Sequence, residues 1–310
     1  MRKLVKEKNL LVVGGTGFIG RWVVCGGIKR GYQVSVLSRS LPDSKRIISG
    51  VEYLQADISN HVDVLKAVGS KHISHVVNLS GDISHVQYRN GGIDVVDAHL
   101  TGVLNLAHSL DWDFLECFVQ IGSSDEYGSA SAPQYEDLPC SSISSYSFSK
   151  IAATEFLKML HRTEGFPAII ARPFLVYGPG QDKQRFLPQI ISACLNDASF
   201  ATSNGEQLRD FCYIDDIVNG VFSALESKDC YGEVFNLASG RPISIRSMIE
   251  RVVGLVGGGK PQFGTIQFRV GESMELYANI EKAENRLNWS PRINLSEGLK
   301  KTIEFYRGDR

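Results

Sequence analysis

The chain is 310 residues long, 43% hydrophobic and 22% charged, which is ordinary globular composition with room for one large domain or two intimate ones. Its 33 Lys and Arg nearly balance 34 Asp and Glu, so no global field draws it to nucleic acid or an anionic membrane, and any phosphate binding must be local. No run approaches the roughly 18 consecutive apolar residues of a membrane span, and Cys25, Cys117, Cys140, Cys194, Cys212 and Cys230 lack the paired spacing of a zinc or redox site. The expectation is a cytoplasmic protein with reduced thiols, no metal, and neither nucleic acid nor membrane as partner.

The opening MRKLVKEKNLLVVGG pairs basic residues with an apolar run, as a signal peptide does. That run is short, lacks a small-residue cleavage site and leads straight into glycines, so it reads as a first strand, Leu10–Val13. Further apolar runs follow at Val34–Leu37, Val51–Leu54, His75–Leu79, Cys117–Ile121 and Ala168–Ala171, with helix-length segments between them. This alternation predicts βαβ units around a parallel sheet whose strands are buried on both faces, the doubly wound Rossmann α/β class. Beyond Arg172, prolines at 173, 179, 188, 242, 261 and 291 loosen the pattern, and helices are expected at Phe186–Asn196 and Ser244–Leu255. The expected division is a dinucleotide-binding domain over 1–171 with about 211–238, and a smaller α/β substrate lobe over 172–210 and 239–310, with substrate in the cleft between them.

Gly14, Gly15, Gly17 and Gly20 lie in LVVGGTGFIGRWV, after the first strand and opening a helix. There they permit a tight turn and close backbone approach, so that a dinucleotide pyrophosphate meets the helix N-terminus at Gly14, Gly17, Phe18, Ile19 and Gly20. At the end of the second strand, where an acid would pair with the ribose of NAD, the chain reads Ser38-Arg39-Ser40. With no acid present and an arginine available, NADP is favoured over NAD, unless Arg39 is only a solvated surface cation. Asp57, followed by Ile58, would bond the adenine amino group or cap the next helix. Tyr146 and Lys150 share one helix face, so an ammonium can lower the phenol's pKa through space and yield an acid/base near neutral pH. Upstream, a buried strand ends in Gly122-Ser123-Ser124-Asp125-Glu126-Tyr127-Gly128, placing hydroxyls and carboxylates at the carboxyl edge where α/β sheets bind ligands.

Taken in order, GGTGFIG, SSDEYG, YSFSK, RPFLVYGPGQ and RDFCYIDDIV resemble the nucleotide-sugar epimerases, dehydratases and reductases of the extended short-chain dehydrogenase/reductase family, from about residue 9 to 307. The resemblance implies an NAD(P)-dependent enzyme acting on a nucleotide-diphosphate sugar. It implies Ser123, or alternatively Ser124, as the hydroxyl on the substrate oxygen, Tyr146 as the proton-transfer residue and Lys150 as its electrostatic partner, the last two also touching the cofactor. Leu79, Ser80, Gly81 and Pro173 join the cofactor contacts. Ser84, Phe186, Arg209 and Arg269 would meet substrate, the arginines on its diphosphate through bidentate forks; Phe186 reads equally as the start of a packed helix. His99 stands where the family usually has Asn, as a packed residue or a relay member. The loop Asn78–Val86 looks one residue longer than usual. Asp125 holds the place of the dehydratases' catalytic Glu, and Ser-Ser-Asp-Glu-Tyr-Gly resembles the motif of some GDP-4-keto-6-deoxy-mannose reductases. Oxidoreduction at carbon 4 by a reductase or dehydrogenase is therefore the first expectation, 4-epimerase the second, 4,6-dehydratase the third; a catalytically silent dinucleotide-binding protein is the reading from another class. A homodimer is expected through Asp97–Leu110 and Ser149–Arg162, with Leu100, Val103, Leu104, Leu106, Ala107, Ile151, Phe156, Leu157, Met159 and Leu160 extending the apolar surface beyond one sheet-facing stripe.

Overall fold

The computed structural model describes residues 8–81, 83–268 and 272–308. From the N-terminus the chain forms β1 (Asn9–Val13), α1 (Phe18–Lys29), β2 (Gln33–Ser38), β3 (Glu52–Gln55), α2 (His61–Val68), β4 (His75–Asn78), α3 (Gly92–Val96), α4 (Gly102–Ser109), β5 (Cys117–Ile121), α5 (Ser145–Glu164) and β6 (Ala168–Pro173). There follow β7 (Leu175–Tyr177), α6 (Phe186–Leu195), β8 (Ser199–Ala201), β9 (Leu208–Tyr213), α7 (Ile214–Glu226) and β10 (Val234–Leu237). The chain ends with β11 (Pro242–Ser244), α8 (Ile245–Val256), β12 (Lys260–Gln262), β13 (Glu275–Leu276), α9 (Glu281–Leu287) and α10 (Leu295–Gly308). The predicted strands and helices lie within a residue or two of these bounds.

Two compact units divide the chain: Met1–Gly128 with Pro139–Arg172 and Val218–Phe235, and Ser129–Leu138 with Pro173–Ile217 and Asn236–Arg310. Three short segments expected in the first domain, Ser129–Leu138, residues 211–217 and residues 236–238, belong to the second unit, and Arg172 belongs to the first. Hydrogen bonding explains the first segment: the buried Gln134 accepts from Asn279 N (2.9 Å) and Tyr277 N (3.0 Å).

The seven-stranded sheet runs β10-β6-β5-β4-β1-β2-β3, and its order reverses at β1, the arrangement that opens a ligand crevice at the carboxyl ends of the central strands. β4, β5 and β6 are buried along their whole length, which is why they read as continuous apolar runs. Leu11, Val76, Phe118, Leu157, Phe166 and Ile170 build the core on one face. Helix α5 starts where the Ser144 hydroxyl accepts the Ser147 amide, and stops at Gly165 in the left-handed region at φ 74°. Between α3 and α4 the residues Asp97–Thr101 form a π-helical turn that carries His99. Of the residues expected to widen the outer apolar surface, Val103, Leu106, Ala107, Leu157 and Leu160 instead face the core, because the sheet-facing stripe is wider than the sequence count allowed. Outward stand Leu104, Met159, Ile93 and Phe148.

In the second unit β9 is flanked by β11, antiparallel, and by β7 and β13, both parallel, while β8 and β12 form a separate pair. Buried carboxylates organise it. Asp210 accepts from Ser239 N (2.7 Å), Ser239 Oγ (2.6 Å) and Gly240 N (2.9 Å), and Asp216 accepts from Arg292 N (3.0 Å) and Ile293 N (2.9 Å).

Candidate active site

The turn from β1 into α1 is shaped by what its glycines leave out. Gly14 sits at φ +77°, and a Cβ there would lie 3.1 Å from the Leu79 carbonyl carbon; a Cβ on Gly20 would collide with the Gly14 carbonyl oxygen. The turn thus lies flat against the end of β4, and α1 begins after Gly17 with no side-chain cap and no acid in its first turn. Amides at the start of a helix have no partner within it, so Phe18, Ile19 and Gly20 present donors suited to a diphosphate. Ser80 closes the neighbouring edge, its amide and hydroxyl donating to Asn78 Oδ1 at 3.1 and 2.6 Å, and Leu79 N bonds Val13 O at 2.9 Å. These groups fit a dinucleotide.

At the end of β2, Arg39 and Ser40 are exposed, and Ser38 Oγ donates to Ser40 O at 2.8 Å. Asp57 does not cap α2; that position belongs to Asn60, whose side chain accepts from Val62 N and Asp63 N. Instead Asp57 Oδ1 accepts from the Ser59 hydroxyl (2.7 Å) and amide (2.9 Å), which hold its carboxyl below the usual range. Ile58 packs on Gly102, and its carbonyl accepts from Asn105 Nδ2 at 2.9 Å.

The end of β5 and the start of α5 bring the other expected residues together. Ser123 caps the short turn Ser124–Tyr127: its hydroxyl accepts the Asp125 amide at 3.1 Å, and its own amide donates to Glu126 Oε1 at 2.8 Å. Ser124 is buried in the same turn. Tyr146 lies in the first turn of α5, 6% exposed, with the His99 ring edge-on at 5.1 Å and the His85 ring at 5.3 Å between centroids. Lys150, one turn on and 4% exposed, sets its ammonium 5.8 Å from the centre of the Tyr146 ring and donates to Ile121 O at 2.7 Å. Burial disfavours the ammonium and brings its pKa down to about 8, while Glu126 opposes that shift. His99, the substitute for the usual Asn, is a buried partner of the Tyr146 ring, and Gly81 lies so close to it that a Cβ would collide with the imidazole. His85 Nε2 stands 3.5 Å from Asp125 Oδ2. Nearby Ser84 is half-buried.

Three features escaped the sequence reading. Glu126 is fully buried and paired with Arg172 at 2.8 Å; its signal was present, an acid beside Asp125 and an arginine ending an apolar strand, but only the fold joins them. His85 reaches Tyr146 from a loop. Asp210 and Asp216 of RDFCYIDDIV turn out to hold loop amides. In the second unit Pro173 is buried at the end of β6, and Phe186 opens α6 with its ring 6.2 Å from Phe211. Arg209 donates to Glu272 Oε1 at 3.2 Å and to its own neighbour Leu208 O at 2.9 Å. Arg269 lies outside the described residues.

Among the described residues no helix is long and apolar enough to cross a membrane. Residues 10–238 match the family described as NAD dependent epimerase/dehydratase. A UDP-glucuronate 4-epimerase of Thermodesulfobacterium geofontis is 29% identical over 310 residues, 95% of each chain. Among solved structures, the UDP-glucose 4-epimerase of Thermotoga maritima with UDP-glucose superposes with a TM-score of 0.90 at 25% identity, over 97% of this chain and 99% of that one. UDP-glucuronic acid 4-epimerase of Bacillus cereus, in complex with UDP-glucuronic acid and NAD, gives 0.86 at 26% identity over 97% and 100%. With the glycine turn, the Tyr-Lys helix and the serine-capped strand end all in their places, the chain belongs to the NAD dependent epimerase/dehydratase family and is an enzyme of that class.

Proposed function

We propose that the protein is a nucleotide-sugar 4-epimerase acting on a UDP-hexose or UDP-hexuronate. The observation that carries the chemistry is Tyr146 with the buried ammonium of Lys150 beside it, one turn apart on α5 and next to the serine-capped end of β5. The choice of epimerisation over the net reductase first expected from Ser-Ser-Asp-Glu-Tyr-Gly rests on relatives named UDP-sugar 4-epimerases that match along nearly the whole chain. A nicotinamide cofactor held by the turn at residues 14–20 would supply the acceptance and return of a hydride at carbon 4 of the sugar. Tyr146, as phenolate, takes the proton of the carbon 4 hydroxyl and gives it back when the opposite face is reduced. Lys150 favours that phenolate by its charge, and the Ile121 carbonyl holds the ammonium in place. Ser123 accepts the Asp125 amide, which leaves its O–H to donate to the sugar oxygen.

A second reading draws on Asp125 and His85, 3.5 Å apart beside Tyr146: an acid/base pair there suits loss of water from the neighbouring carbons, as in a 4,6-dehydratase. One experiment separates these. UDP-glucose, UDP-glucuronate and dTDP-glucose are incubated with enzyme and catalytic NAD, and products are read by mass and by anomeric NMR. Epimer at unchanged mass is the expected outcome. Loss of 18 mass units (about one water) would establish the second reading, and turnover that stops at the amount of NAD supplied, with reduced cofactor and a two-electron-oxidised sugar accumulating, net oxidoreduction.

On the cofactor, the exposed Arg39 and the absence of an acid at the end of β2 support NADP, whereas the Bacillus cereus relative is described with NAD. We keep NADP as the proposed preference; titration of wild type and Arg39→Ala with both cofactors decides it, and equal losses of affinity for the two would remove it. Arg209 is the proposed diphosphate contact, exchanging Glu272 for phosphate oxygens, with Arg269 as the second. The outward Ile93, Leu104, Phe148 and Met159 support a homodimer through the outer faces of α3, α4 and α5.

A further inference from the structure

We propose that Glu126 is a positioning residue for Tyr146 and Lys150, its buried carboxylate joining the Ser123 turn, helix α5 and the end of β6 into one piece. The inference rests on the reading of Tyr146 and Lys150 as the reacting pair. One oxygen of Glu126 accepts the Ser123 amide at 2.8 Å. The other accepts both the Thr154 hydroxyl at 2.8 Å and the Arg172 guanidinium at 2.8 Å. Thr154 stands one helical turn beyond Lys150, so the carboxylate fixes the helix against the very turn that presents Ser123.

Stability alone is a weak reason for such a pair. Removing two charges from water is costly, and well-packed apolar residues in their place commonly serve stability as well or better. Here the geometry is also poor as a structural ion pair: Arg172 is 2% exposed, yet its Nε and one Nη find no hydrogen-bond partner among the described residues. What Glu126 does supply is a negative charge that acts on Lys150 against the desolvation of its ammonium. The ionisable groups around it come from five segments: Lys150 and Tyr146 from α5, His99 from the π-helical turn against Tyr146, Tyr127 of the Ser123 turn under the Arg172 guanidinium at 4.8 Å, Arg172 from β6, and Cys140 from the segment before α5, 3.2 Å from Arg172. Of these, Glu126 is the anion that acts on the lysine.

The test is the pH dependence of kcat in Glu126→Gln, with folding checked by circular dichroism and cofactor affinity by titration. Wild-type turnover falls as pH rises through the lysine's deprotonation; without the carboxylate that limb should move about one pH unit lower, and kcat below the limb should drop at least about tenfold through lost alignment. Glu126→Asp should restore the limb toward wild type. If Glu126→Gln leaves an uncompensated Arg172 and does not fold, the double replacement Glu126→Gln with Arg172→Gln reads the same limb with both charges gone. A folded variant whose limb stays at the wild-type pH overturns the inference, as does a kcat within twofold. Tyr146→Phe run alongside keeps the two levels apart: if it turns over, the reacting pair has been misassigned, whereas an inactive Tyr146→Phe with a normal Glu126→Gln removes only the role of Glu126.

Discussion

Two stretches of this chain are dense in acids and in recognisable motif, Ser123–Gly128 after β5 and Arg209–Asp216 through β9, and the structure uses their carboxylates in opposite ways. After β5 the buried Glu126 meets a guanidinium, a hydroxyl and an amide, and lies in electrostatic reach of Lys150, the proposed partner of Tyr146. Through β9 the buried Asp210 meets two amides and a hydroxyl of the loop Ser239–Gly240, and Asp216 meets the amides of Arg292 and Ile293. Both are satisfied, as buried carboxylates must be. The first arrangement leaves its charge acting on the buried Lys150, and the second spends it on fixing loops. Motif density therefore does not distinguish chemistry from scaffolding; the partners do.

The largest effect expected from this contrast is on Tyr146→Phe, which removes the transferable proton and nothing from the core. Turnover should fall by about 10³-fold, within the usual range for general acid–base catalysis, with the urea midpoint unchanged; activity within tenfold of wild type would break the assignment of the β5 edge. Its pH behaviour sharpens the point. Lys150 has its folded pKa depressed to about 8 by burial, so wild-type activity should decline as pH rises through about 8. Stability should do the reverse: between that value and the unfolded pKa of about 10.4 the unfolded chain binds the extra proton, so the lysine's penalty to the fold is relieved as pH increases.

Next in size is Asp210→Asn. The amide nitrogen would face the Gly240 N–H that Oδ2 now accepts, leaving buried donors opposed, at a cost of about 2–3 kcal/mol in unfolding free energy. Chemical denaturation should report that loss while kcat per folded molecule stays within twofold. A drop in kcat at full stability would erase the contrast between the two stretches. Arg209→Ala asks whether β9 has any direct part in binding: losing a charge-assisted phosphate contact should raise KM by about tenfold with kcat nearly kept, the gross value of about 1.5–3 kcal/mol being reduced by the Glu272 contact it gives up. An unchanged KM would assign the whole of β9 to scaffolding. The smallest effect on chemistry is expected from Leu104→Glu on the outer face of α4, 38% exposed. Sedimentation should show a monomer with nearly intact single-turnover chemistry, and a wild type already monomeric at micromolar concentration would dispose of the proposed dimer.

The sequence by itself determined the parallel sheet, because strands buried on both faces read as mainly apolar runs, and β1, β4, β5 and β6 do so with only a few polar residues among them. It determined the cofactor turn as well, since Gly14 turns at φ +77° and a Cβ on Gly20 would strike the Gly14 carbonyl, and it placed Tyr146 and Lys150 on one helix face through spacing alone. Tertiary structure decided what depends on residues far apart in the chain. Glu126 meets Arg172 across 46 positions, His85 and His99 reach Tyr146 from separate elements, and Asp210 finds Ser239 and Gly240 about 30 positions on. It also decided which apolar residues of α4 and α5 face inward, so that Val103, Leu106 and Leu157 went to the core and Leu104 and Met159 to the surface. Periodicity reports that a helix has an apolar side, but the width of that side is set by the sheet on which it packs.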